Sequence, residues 1–130
     1  MQKWDYSTDQ IGASAYPVAV VNVTHPASFK RANRDVKCLV DSGADVSGMP
    51  VDLLNRLGVG ASNIVEVVWD YDRRPREQEF SWVVISLCGK RCGPIKVIRL
   101  SETAVPVLGR DVLNQFVATL NGPEQVCEIK

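Results

Sequence analysis

The chain has 130 residues, 45% of them apolar, and its 15 Lys and Arg balance 15 Asp and Glu, so it carries no formal net charge at pH 7. That length gives one domain with a modest core that a second subunit would enlarge, and the neutral balance argues against nucleic acid or an anionic membrane as the main partner. No stretch approaches the ~20 apolar residues of a membrane span, and the polar start Met1-Gln2-Lys3-Trp4-Asp5 is not a signal peptide, which makes the cytoplasm the default compartment.

Residues 1–15 are polar and lack periodicity, and they predict an arm that is loose or that orders on dimer association, ahead of a domain spanning 16–130. The run Val18-Ala19-Val20-Val21-Asn22-Val23 is strand-like, and His25-Pro26 ends it. A loop rich in Lys30, Arg31, Asn33 and Arg34 is expected next. It leads into a second strand, Cys38-Leu39-Val40, which completes a hairpin and runs into Asp41-Ser42-Gly43-Ala44-Asp45. Gly43 permits a sharp reversal there, so Asp41 is held at a strand end. Residues 50–58 predict a short helix with Val51, Leu54 and Leu57 on one face and Gly58 after the last turn. Residues 64–69 and 80–87 are β-rich runs of a long hairpin, separated by a charged tip over 70–79. Strands follow over 95–100 and 105–108, then a short helix over 111–116. Two closing strands, 117–120 and 126–129, flank an Asn-Gly-Pro turn.

A lone carboxylate becomes a useful acid or base only beside a second group that alters its proton affinity, and one Asp-Ser-Gly supplies a single such group. A second copy must then come from another chain. The downstream segment Val107-Leu108-Gly109-Arg110-Asp111-Val112-Leu113-Asn114 completes a pattern with Asp41-Ser42-Gly43-Ala44-Asp45. Together, over about residues 16–129, the two motifs resemble the retroviral-type (retropepsin-like) aspartic proteases, in their single-domain cellular or bacterial form.

The resemblance implies an all-β, closed-barrel fold of one lobe with one or two short helices, active as a homodimer on an extended peptide or protein substrate without metal or cofactor. It makes Asp41 the catalytic carboxylate, one from each subunit, sharing a proton and holding the attacking water. It gives the Ser42 hydroxyl a hydrogen bond across the subunits, with Gly43 shaping the same turn. Asp45 and Arg110 match positions that pair beneath the substrate groove, and Gly109 supports that segment. Ala44 would lie along the substrate backbone, and Val105 and Val107 would line pockets. Tyr71, Asp72 and Arg73 fall where the family carries a flap. This tip departs from the family: it has Pro75, three arginines and no glycine. It is either a stiffer flap that reads acidic side chains or no working flap.

Other chemistries find little support. His25 is the sole histidine, so Ser-His-Asp, Cys-His and zinc sites lack their usual members. Cys88 and Cys92 flank a turn and allow a bridge, although free thiols are favoured in a chain with no secretory signal. Gly58-Val59-Gly60-Ala61-Ser62 lacks the Lys-Ser or Lys-Thr of a phosphate loop. Two alternatives to a general peptidase remain: a non-catalytic dimerisation or peptide-binding module of the same fold, and a processing protease that cleaves its own precursor or one partner.

Overall fold

Alternating β-branched residues set the architecture. In the computed structural model, which describes residues 1–9, 14–69 and 72–130, ten strands and two short helices form two sheets. Strand β1 is Gln2–Asp5, β2 is Val18–His25 and β3 is Ser28–Val40. β2 and β3 form the expected hairpin, with Val18 opposite Leu39 and Val21 opposite Val36. The loop expected over Lys30 to Arg34 is instead part of β3. That half of the strand faces solvent, where charged side chains cost nothing, so its polarity hides its extended backbone.

After β4 (Gly48–Pro50) the chain turns into α1 (Val51–Arg56), with Pro50 at the cap and its fixed φ of −60° leading into the first turn. Leu53, Leu54 and Leu57 are buried, and Gly58 adopts φ 74° as the helix ends. β5 (Val65–Trp69) pairs with β6 (Pro75–Leu87) from Val65↔Glu79 to Trp69↔Pro75. Residues 75–79, expected as a charged tip, are therefore strand. A two-residue turn, Cys88 and Gly89 with φ 50° and 76°, joins β6 to β7 (Lys90–Leu100). Positive φ at both positions suits the right-handed twist of a hairpin. β8 (Val107–Leu108), α2 (Arg110–Leu113), β9 (Ala118–Asn121) and β10 (Val126–Ile129) follow.

The larger sheet runs β2-β3-β8-β4-β7-β6-β5, and a further pairing of β2 with β6 brings its first strand back to its sixth. Six strands thus close on themselves, which removes the open edges a flat sheet would leave. β5 remains outside that ring, paired only to the projecting first half of β6. Inside lie Val21, Val23, Met49, Leu54, Val83, Ile85, Val97 and Leu108, each at most 2% exposed. The all-β class with two short helices is as the sequence indicates.

A second sheet, β1-β10-β9, packs on the same core through Cys127 and Ile129. The first residues, expected as an arm, place β1 beside β10 of the same chain, with Gln2 opposite Ile129 and Asp5 opposite Val126. Trp4 anchors the strand against the core. All four cysteines carry free thiols, and burial pushes the Cys38 thiol up to about 12, leaving it protonated at neutral pH.

Leu54 has no exposed surface, and α1 holds it over the ring. Leu54→Ala should cost ~2–5 kcal/mol through lost contacts and a residual cavity. Urea titration should show a lower midpoint with an unchanged slope.

Candidate active site

Asp41 follows directly on β3, and its position is set by a parallel pairing. Leu39 lies opposite Val107 and Val40 opposite Leu108. The Leu39 amide donates to the Pro106 carbonyl at 2.8 Å, and the Asp41 amide to the Leu108 carbonyl at 3.0 Å. Leaving the ladder, the chain curls around the carboxylate. Asp41 Oδ1 accepts the Gly43 amide at 2.9 Å, and the Asp41 carbonyl accepts the Ala44 amide at 3.2 Å. A side chain at position 43 would crowd that carboxylate, because a Cβ there would lie 3.1 Å from Oδ1. Asp41 and Ala44 are half-buried, while Ser42, Gly43 and Asp45 are exposed. The Ser42 hydroxyl has no hydrogen-bond partner among the described residues.

A second set of bonds ties this loop to α2. The fully buried Ser47 donates from Oγ to Asp111 Oδ1 at 2.6 Å and from its amide to Oδ2 at 3.0 Å, while the same Oγ accepts the Gly109 amide at 2.9 Å. Asp111 Oδ1 also accepts the Val112 amide at 2.9 Å. Gly109 is required by close approach: a Cβ there would lie 2.8–3.0 Å from the backbone of Ala44 and Val46. The Arg110 amide reaches the Ala44 carbonyl at 2.8 Å, its Nη1 donates to the Ser42 carbonyl at 2.8 Å, and its Nη2 pairs with Asp45. Asp45 and Arg110 thus meet, as the sequence predicts. Their side chains are 81% and 42% exposed in the single chain, so there the pair contributes under ~1 kcal/mol.

Sequence reasoning missed Ser47 and assigned no role to Asp111. The available signal was a small polar residue in the apolar run from Val46 to Pro50, where a buried hydroxyl must find partners.

Val105 and Val107 are both half-buried, Val107 on β8 and Val105 in the segment leading to it. Tyr71 lies outside the described residues. Asp72 and Arg73 stand between β5 and β6, and Arg73 adopts φ 59°. Hairpin register separates two faces. Val65, Val67 and Trp69, 49%, 61% and 71% exposed, stand opposite Glu79, Glu77 and Pro75. They lie on the more exposed face of the hairpin with Glu77 and Glu79, whereas Arg76, opposite Val68, shares the other face with the buried Gln78 and Phe80. The Arg76 face also carries the ion pair of Lys96 with Glu66, and the Lys96 ammonium lies 4.6 Å from the centre of the Phe80 ring. Among the described residues no group of three or more His, Cys, Asp or Glu could hold a metal ion, and no helix is long and apolar enough to cross a membrane.

No family model and no curated protein matches the chain. Among solved structures, EIAV protease complexed with the inhibitor HBY-793 aligns with 84% of this chain and 93% of its own length, at 23% identity and a TM-score of 0.54. At that identity the likeness establishes the fold, which is retropepsin-like.

Removing the Ser47 hydroxyl leaves the Gly109 amide without an acceptor and Asp111 without one donor. Ser47→Ala should therefore cost ~1–3 kcal/mol, whereas Asp45→Ala should cost under ~1 kcal/mol in the monomer. Denaturant titration of the two variants in parallel should give that ranking. Equal losses would mean that the exposed ion pair, not the buried hydroxyl, holds the loop.

Proposed function

We propose that the chain is an aspartic endopeptidase that works as a homodimer, with one Asp41 from each subunit. The observation that carries this reading is the single carboxylate at the end of the parallel β3–β8 pair, rigidly hydrogen-bonded, on a retropepsin-like fold. Two such carboxylates brought together cannot both ionise. One removes a proton from the water between them as it attacks the peptide carbonyl, and the other gives its proton to the carbonyl oxygen; as the C–N bond breaks, the first passes its proton to the leaving nitrogen and the second takes one back from the intermediate's hydroxyl. The Ser42 hydroxyl, which has no partner among the described residues, would bond across the dimer. Ala44, Asp45, Val105 and Val107 would line the substrate groove, with Asp72 and Arg73 at the flap that covers it.

A surface for the second copy is at hand. β9 is one edge of the β1-β10-β9 sheet; its four residues are exposed, Leu120 at 48% among them, and Val117 just before it is 58% exposed. Pairing β9 with its counterpart would join two three-stranded sheets into one and cover those apolar side chains. A second reading, a dimerising peptide-binding module without catalysis, draws on one observation: the hairpin tip has Pro75 and no glycine over residues 70–79.

Asp41→Asn separates the two readings. For a peptidase it should lower cleavage of a mixed peptide library at least ~10²-fold, the usual scale of acid–base catalysis, with folding retained. Wild-type protein that cleaves nothing at concentrations where it is dimeric would favour the module. Leu120→Glu should shift the sedimentation profile towards monomer and lower specific activity on dilution. A chain that is monomeric throughout and still cleaves at full rate would overturn the homodimeric mechanism.

A further inference from the structure

Away from Asp41, at the opposite end of β3, three cations gather beside α1. Pairing between β2 and β3 jumps from Thr24↔Ala32 to His25↔Ser28. Phe29, Lys30 and Arg31 therefore bulge from the ladder with no partner on β2. Bulges of this kind re-aim side chains and are frequent beside functional sites. The bulge is held at both ends. Arg91 stacks on Phe29 with its guanidinium carbon 4.1 Å from the ring centre, and Arg31 lies against Gly58, where a Cβ would come within 2.6 Å of Nη1. With φ 74°, Gly58 both ends the helix and leaves room for the guanidinium.

The hollow so formed has a volume of about 370 Å³ and is lined by Lys30, Arg31, Asn33, Asn55, Arg56 and Leu57, among others. Such a volume suits a small ligand or one modified side chain. Its charge is poorly compensated. Asp52 pairs with Arg56 at 3.3 Å, but no carboxylate pairs with Lys30 or Arg31 among the described residues. Asn55 Oδ1 accepts from Arg99 Nη2 at 3.4 Å, which leaves the Asn55 amide nitrogen as a donor.

The plain alternative is that Arg31 caps the carbonyls at the end of α1, as basic residues often do. It does not account for the arrangement: Asn33 Nδ2 takes the Leu53 carbonyl at 3.2 Å, and Arg31 donates no hydrogen bond to α1 among the described residues. Its five donors are uncommitted among the described residues. A planar guanidinium beside an ammonium and a second guanidinium matches the several oxygens and high charge of a phosphate better than a single carboxylate.

We propose that this hollow is an anion site that takes a phosphate monoester, carried on a phosphorylated side chain or on a small molecule, and that it is separate from the Asp41 groove. Binding is measured without a peptide substrate, so the result does not depend on proteolysis. At constant ionic strength set by chloride, the full chain is titrated with inorganic phosphate, glycerol phosphate, a phosphoserine peptide and the same peptide with Glu in place of phosphoserine. Affinity is read by calorimetry and by melting temperature. A saturable response to the phosphates is expected, with binding at least tenfold weaker in the Lys30→Gln, Arg31→Gln double variant. These residues are exposed, so the variant should fold, and Lys130→Gln serves as a control that keeps the response. The phosphoserine peptide binding tighter than glycerol phosphate assigns the site to a modified protein, and the reverse order to a small molecule. Absence of a saturable response, an unchanged response in the double variant, or equal affinity for the Glu peptide would each overturn the assignment.

Discussion

The candidate site depends on one buried hydroxyl. Ser47 joins two segments far apart in sequence: its own loop and the start of α2, where it meets the Gly109 amide and the Asp111 carboxylate. A buried polar group left unpaired costs more than a made bond contributes, so these partners hold each other in a single arrangement. The parallel β3–β8 pairing alone would fix only the height of Asp41. Linking the far side of its loop to α2 also fixes the direction of the chain after Gly43. Gly109 packs closely on the same loop, since a Cβ there would meet the backbone of Ala44 and Val46.

Much of the fold was legible in the sequence because apolar periodicity reports burial. β2, α1 and the end of β3 carry strong patterns and fall where expected. The errors share a physical origin. The first half of β3, the first half of β6 and the start of β7 are mostly exposed, and strands there form through backbone hydrogen bonds that any side chain permits. β1 was hidden for a similar reason, with only Trp4 among its four residues turned towards the core. At the site, the motif showed Asp41 and the Asp45–Arg110 pair. Ser47 was only half legible: a hydroxyl in an apolar run signals buried partners, but those partners lie 62 and 64 residues away.

In the proposed homodimer, each chain would supply half of the site. Asp41 is half-buried, its one side-chain hydrogen bond comes from its own loop, and Arg110 and Asp45 are paired at the surface. An exposed ion pair adds little in water, but the same pair buried between two subunits would be costly to break. If β9 brings a second copy alongside, the surface pair changes character with no change in its own geometry, and affinity between subunits becomes coupled to order in the loop that carries Asp41.

The arginines of the hairpin tip suggest acidic substrates when read from sequence alone, but register divides the hairpin's charges between two faces. Arg76 shares a face with the buried Gln78 and Phe80, and the more exposed face carries Val65, Val67 and Trp69 with Glu77 and Glu79 opposite. Glu79 lies 3.7 Å from Arg99. A one-residue step along a strand moves a charge from one side of the sheet to the other, so a count of charges at the tip does not give the charge that either face presents.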